Sequence, residues 1–110
     1  MADIEPVVDV SITAGDPELL ADLVRQLVES RYVACGNIIP GVRSIYQWDG
    51  AIQDDRETLA ILHTRRSRVD DIVRFLQEKH PDETPQVIAT EAVQTHPGYR
   101  DWVLENTRAQ

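Results

Sequence analysis

Apolar and polar positions along the chain change period several times, and each change marks an element. Val7-Val8-Asp9-Val10-Ser11-Ile12-Thr13 is β-branched and bounded by Pro6 and Gly15, which predicts a strand. Asp16 then stands where a helix N-cap would, with Pro17 at the first helical position and Glu18 in the first turn. Leu19, Leu20, Leu23, Val24, Leu27 and Val28 follow at helical spacing and predict one apolar face. Val33 to Ile39 is apolar again, and beyond Pro40-Gly41 the residues Val42, Ser44, Tyr46 and Trp48 alternate with Arg43, Ile45 and Gln47. Proline offers no ladder donor and glycine tolerates unusual dihedrals, so Pro40 and Gly41 predict a kink or bulge within one long strand.

Asp49-Gly50 is the strongest hairpin signal in the chain, and Ala51 to Thr64 is the return strand. Leu59, Ile61 and His63 fall on one of its faces, Ala60, Leu62 and Thr64 on the other. Ser67 three residues before Asp70 is a variant capping box for a second helix, carried by Val69, Ile72, Val73 and Leu76 and ending near His80-Pro81. Val87 to Val93 predicts a fourth strand, and Pro97 to Asn106 a short terminal helix with Tyr99, Trp102 and Val103.

Two strand–helix units joined by a hairpin define an α+β class: a split βαβ sandwich with an antiparallel sheet, a long central hairpin and a short C-terminal helix. Both amphipathic helices then cover one face of the sheet and leave the other bare. The hairpin is too long to pair only within a small domain, and Ser44, Tyr46 and Trp48 share one of its faces, which predicts a homo-oligomer. A length of 110 residues fits a single domain over 1–110, with its core at about 7–107. With 42% hydrophobic but only 5% aromatic residues, that core must be aliphatic.

A net charge of −8 argues against nucleic acid, since phosphate affinity comes mainly from Lys and Arg. Cations and neutral ligands suit that field better. No apolar stretch has the length of a membrane span, the N-terminus is acidic where a secretory signal is basic, and the one cysteine has no intrachain partner. These features predict a cytoplasmic protein with no membrane or nucleic-acid partner.

His80-Pro81-Asp82-Glu83 is the best metal candidate: imidazole is the commonest ligand for copper and zinc, and carboxylates can complete such a site. No second histidine lies three or four residues away, so His80, Asp82 and Glu83 would gain further ligands only through folding or assembly. The alternative is a surface loop in which His80 caps the preceding helix. Tyr46, Trp48 and Asp49, placed opposite His63 and joined by Asp101 and Trp102, form a candidate ligand pocket of aromatic walls and a few polar groups. The alternative is that Tyr46 and Trp48 are interface anchors burying area between subunits, and both roles could meet at a subunit boundary. Cys35 reads as a small buried structural residue, since nothing local holds His63 or His96 near its thiol. Arg65, Arg66 and Arg68 could receive an anion, or form a solvated face offset by Asp70 and Asp71. No catalytic acid, base and nucleophile can be assembled, so an enzyme is not expected.

Ala34-Cys35-Gly36-Asn37-Ile38-Ile39-Pro40-Gly41-Val42, then Ser44-Ile45-Tyr46, Trp48-Asp49-Gly50, His80-Pro81, Thr84-Pro85 and Val87-Ile88, in this order and spacing, closely resemble the CutA family, the divalent-cation tolerance proteins. The resemblance runs from about Val7 to Trp102. It implies a ferredoxin-like fold in a compact homotrimer, similar in architecture to the PII signalling proteins. It also implies tolerance of copper and other divalent cations, with Cu(II) or a similar ion as ligand, none needed for folding, and no catalytic activity. Against the family's polar pattern, this chain has Asp82 where Tyr is usual, Gln86 for Glu, His63 for Lys, and Ile12 where some members carry Cys.

Overall fold

A computed structural model describes residues 5–109. In chain order the elements are β1 (Val7–Ala14), α1 (Pro17–Glu29), β2 (Cys35–Trp48), β3 (Ala51–Arg65), a short 3-10 turn (Arg66–Arg68), α2 (Val69–Lys79), β4 (Val87–Glu91) and α3 (Pro97–Asn106). The four strands form one sheet in the order β2-β3-β1-β4, antiparallel throughout, as a split βαβ sandwich requires. β4 stops two residues short of the expected Val93.

Local chemistry starts and stops several elements as expected. The Asp16 carboxylate accepts from the Glu18 and Leu19 amides at 2.9 and 3.3 Å, and Pro17 follows without a donor to satisfy. Asp49 and Gly50 adopt φ of 53° and 77°, the pair of left-handed residues that closes a two-residue hairpin. Between the pairs Ile39–Leu59 and Val42–Glu57, Pro40 and Gly41 stand against Thr58 alone, and Gly41 takes φ of 76°: the expected bulge.

α2 begins differently from the expected capping box. No side chain caps it, and the Ser67 amide and hydroxyl bond instead to the carboxylate of Glu5, far away in sequence. Burial pushes the Glu5 carboxyl up, but the Ser67 bonds and the Arg65 guanidinium at 3.1 Å outweigh it, and its pKa is lowered. A carboxyl held below its unfolded pKa stabilises the fold above pH ~4.5, and this contribution fades as pH falls through the folded pKa. Glu5→Gln is expected to cost about 1–2 kcal/mol in urea denaturation at pH 7 and progressively less below pH ~4.5. A penalty that stays constant down to pH 3 would contradict this account.

The core lies between the sheet and the two long helices. Leu20, Leu23, Val24 and Leu27 of α1 and Ile72 and Leu76 of α2 bury against Val8, Val10, Ile12, Ala60 and Leu62. Val28, on the edge of the apolar stripe, stays 39% exposed. Gly36 sits where α1 comes closest to the sheet: a Cβ there would lie 2.5 Å from Val24 Cγ1 and 3.1 Å from Leu62 Cδ2. Gly36→Ala is therefore expected to destabilise by about 1–3 kcal/mol through overpacking, and an unchanged urea midpoint would refute it.

The opposite face of the sheet is covered only at one end. There Val103 and Leu104 of α3 bury against Val7 and Ala34. α3 starts on His96, whose Nδ1 accepts from the Gly98 and Tyr99 amides at 3.0 and 3.3 Å. Its C-terminal carbonyls receive arginines: Arg65 donates to Leu104 O, Arg31 to Glu105 O at 2.7 Å, and Arg68 to Thr107 O at 2.9 Å. Cations beside a helix C-terminus also complement its dipole.

Candidate functional site

The hairpin register decides which residues share the open face. His63 stands opposite Cys35 on β2 and Asp9 on β1, whereas Tyr46 faces Gln53 and Trp48 faces Ala51. From Ala51 to His63 the strand runs roughly 40 Å at ~3.3 Å per residue, so the predicted single pocket of Tyr46, Trp48, Asp49 and His63 is corrected to two separate sites.

At the first site, His63 Nδ1 lies 2.6 Å from Asp9 Oδ1 and His63 Nε2 lies 2.7 Å from Asn37 Oδ1. Tyr99 of α3 meets the imidazole edge-on at 6.0 Å between ring centres, and Trp102 lies 5.7 Å from Tyr99. Asp101 and Trp102 therefore belong to the His63 end, on α3, and not to the Trp48 end. Burial pushes the Tyr99 phenol up, with its hydrogen bond to Cys35 and the nearby Asp9 adding to the effect. Cys35 is half-buried on this face rather than sealed in the core. Asn37 Nδ2 approaches its thiol at 4.0 Å, and both ring nitrogens of His63 are held by Asp9 and Asn37. That arrangement braces α3 on the sheet and leaves no imidazole free to activate the thiol.

At the second site, the side of the hairpin that carries Ser44, Tyr46 and Trp48 meets the loop after α2. Together with Thr13, Glu57, Asp82, Glu83 and Gln86 they line an open groove of about 750 Å³. The Tyr46 hydroxyl donates to Asp55 at 2.6 Å, which, with the charges of Glu57 and Asp82, pushes its pKa up to about 12. Arg43, also at the groove, is clamped on Asp54 by bonds of 2.8 and 2.6 Å, which raise its pKa and lower that of Asp54. Asp49 sits at the hairpin tip, in the turn itself.

His80 is closed to a metal. Its side chain is buried, Nε2 donates to Thr13 O at 2.8 Å, and Nδ1 accepts from the Asp82 amide at 3.0 Å, so neither nitrogen has a lone pair to offer. The Asp82 carboxylate stands 3.9 Å away and faces solvent. His80, Asp82 and Glu83 thus do not form a metal centre within one chain, and among the described residues no three His, Cys, Asp or Glu side chains could hold a metal ion. Arg65, Arg66 and Arg68 are likewise committed, to Glu5, Glu91 and Asp71.

The sequence alone did not show Asp9 and Asn37 as partners of His63, or Asp55 and Glu57 beside Tyr46. Counting outward from the Asp49-Gly50 turn would have placed Asp55 and Glu57 on the face of Tyr46.

A four-stranded antiparallel sheet with two helices on one face and an overlong central hairpin defines an α+β protein of ferredoxin-like topology. The model of the CutA1 divalent ion tolerance protein family matches residues 8–106, and the chain belongs to that family. It is 36% identical to Protein CutA of Mus musculus over 98 residues, 89% of this chain and 55% of that one. It thus spans little more than half the length of this relative. It is 34% identical to the divalent-cation tolerance protein CutA of Thermus thermophilus over 98 residues, 89% of this chain and 95% of that one. The crystal structure of CutA1 from Oryza sativa superposes with a TM-score of 0.92 at 31% identity, over 96% of this chain and 97% of that one. Among the described residues no helix is long and apolar enough to cross a membrane.

Proposed function

We propose that this protein serves divalent-cation tolerance, chiefly of copper, as a non-enzymatic, cytoplasmic homotrimer. The observation that carries the assembly is the bare face of the sheet: Ile39, Tyr46, Trp48 and Ile88 are all more than 40% exposed there, and β2 offers a long unpaired edge. A face this apolar is covered in a stable protein, and a second copy of the same surface is the simplest cover. The subunit number of three rests on the family resemblance.

Because one chain does not gather three ligands among its described residues, a bound Cu(II) is assigned to a boundary between subunits. Asp82 and Glu83 would contribute carboxylates, and His80 would join only by releasing Thr13 O or the Asp82 amide. Light scattering should give three times the chain mass. Calorimetric titration of the chelator-treated assembly should show saturable Cu(II) binding that Asp82→Asn with Glu83→Gln weakens. A single-chain mass would overturn the assembly, and nonsaturating heat would overturn the metal role.

A second reading is favoured by the groove itself. Aromatic walls with convergent polar groups are what small-ligand sites present, and a PII-like signalling module would bind its ligand there.

A further inference from the structure

α1 and α3 begin on the same local arrangement with different acids in it. Asp16 before Pro17 starts α1 and His96 before Pro97 starts α3, each with a side-chain atom that accepts from the two amides after the proline. A carboxylate stays a full acceptor down to about pH 4, whereas an imidazole ordinarily takes a proton near pH ~6.5. Only a neutral ring can accept at Nδ1, and backbone N–H groups cannot reverse their polarity. A proton on Nδ1 would face two donors, and its charge would oppose the positive end of the helix dipole. Gly98 holds the ring close over this turn: a Cβ there would lie 3.0 Å from His96 Cε1.

The cap matters because the buried anchors of α3, Val103 and Leu104, lie toward its other end. At the first turn Tyr99 rests edge-on against His63 and is still 40% exposed. Through Tyr99 this turn faces Asp9 of β1, Cys35 of β2 and His63 of β3, and Arg100 bonds to the Glu5 carbonyl at 3.2 Å. The helix itself adds Arg100, Asp101 and Glu105. Among the described residues the His96 ring bonds to the two amides and makes no ion pair. The chain's two other histidines do not mimic its response. Both ring nitrogens of His63 face acceptors, Asp9 Oδ1 and Asn37 Oδ1, so acid preserves its bonds. His80 sits at the far end of β1, on Thr13.

We propose that His96 is an acid-operated latch on α3: neutral, it caps the first turn; protonated, it releases that turn, lifts Tyr99 from His63 and Cys35, and uncovers this end of the sheet's open face. The cap acts in full where the imidazole is neutral and is lost as the pH falls.

The test is hydrogen exchange of the assembled full-length protein, read by mass spectrometry at pH 8 and pH 5. Exchange in α3 is expressed relative to β1, so that the intrinsic effect of pH cancels. That ratio should rise about five- to tenfold at pH 5, as expected for loss of an N-cap. His96→Asn, whose amide oxygen caps without titrating, should keep the pH 8 ratio at both pH values. His96→Ala should show the raised ratio at both. A flat ratio in the parent protein would overturn the latch. So would a rise that survives in His96→Asn, because another group would then be the trigger.

Discussion

His80→Ala is expected to cost the fold about 2–4 kcal/mol, measured by urea denaturation at pH 7, while leaving no exposed surface altered. The imidazole bridges two elements that are far apart in sequence: Nε2–H reaches the Thr13 carbonyl at the end of β1, and Nδ1 takes the Asp82 amide just past the C-terminus of α2. Alanine would leave a buried carbonyl and an amide without partners and a ring-sized void beside them. A buried acceptor without a donor costs about 1–3 kcal/mol, and the cavity adds to it.

His80→Gln should recover part of the loss, because its amide can still donate to Thr13 O across a similar reach. A metal-ligand role predicts the opposite pattern, in which stability of the chelator-treated protein is unchanged and only copper affinity falls. Equal urea midpoints for parent and His80→Ala would show that the bridge contributes nothing. The prediction also bears on any copper titration of this variant, since lost binding there must be separated from lost structure. Asp82→Asn and Glu83→Gln avoid that ambiguity because both side chains are exposed.

Features written in neighbouring residues were legible in the sequence, and features made by distant ones were not. Asp16 with Pro17, and Asp49 with Gly50, act on amides and dihedrals within three residues, so their types alone announce a helix start and a tight turn. The Pro40-Gly41 bulge belongs to the same class. The start of α2 misled because Ser67 carries the right side chain for a cap, yet Glu5 arrives from the N-terminal segment to take its amide. No local rule foretells a partner that distant.

The candidate site divides along the same line. Its residue types were recognisable, but the pocket joined Trp48 to His63 because register was not carried outward from the turn, and alternation alone does not fix distance along a strand. His80 illustrates a second gap. A histidine beside two acids has the composition of a ligand set, and only the fold reveals that both nitrogens are spent on the backbone.

Ile61→Glu is expected to dissolve the assembly while sparing the chain's own fold. Ile61 is on the open face of β3, in a row with Asn37 on β2, Ser11 on β1 and Ile88 on β4, one residue pair from Leu59. It lies on the face away from α1 and α2 and is only partly buried in a single chain, so a carboxylate there can reach water and costs that chain little. In an assembly built on this face the same carboxylate is buried without a partner, at several kcal/mol per subunit. Closed symmetry then repeats the penalty at every interface, so one substitution acts as several. Light scattering should fall to the mass of one chain, with far-UV circular dichroism retained. An undiminished mass would show that the open face of the sheet is not where the subunits meet. The assembly would then have to rest on the outer part of the hairpin, where Ile45 and Ile52 are 63% and 66% exposed.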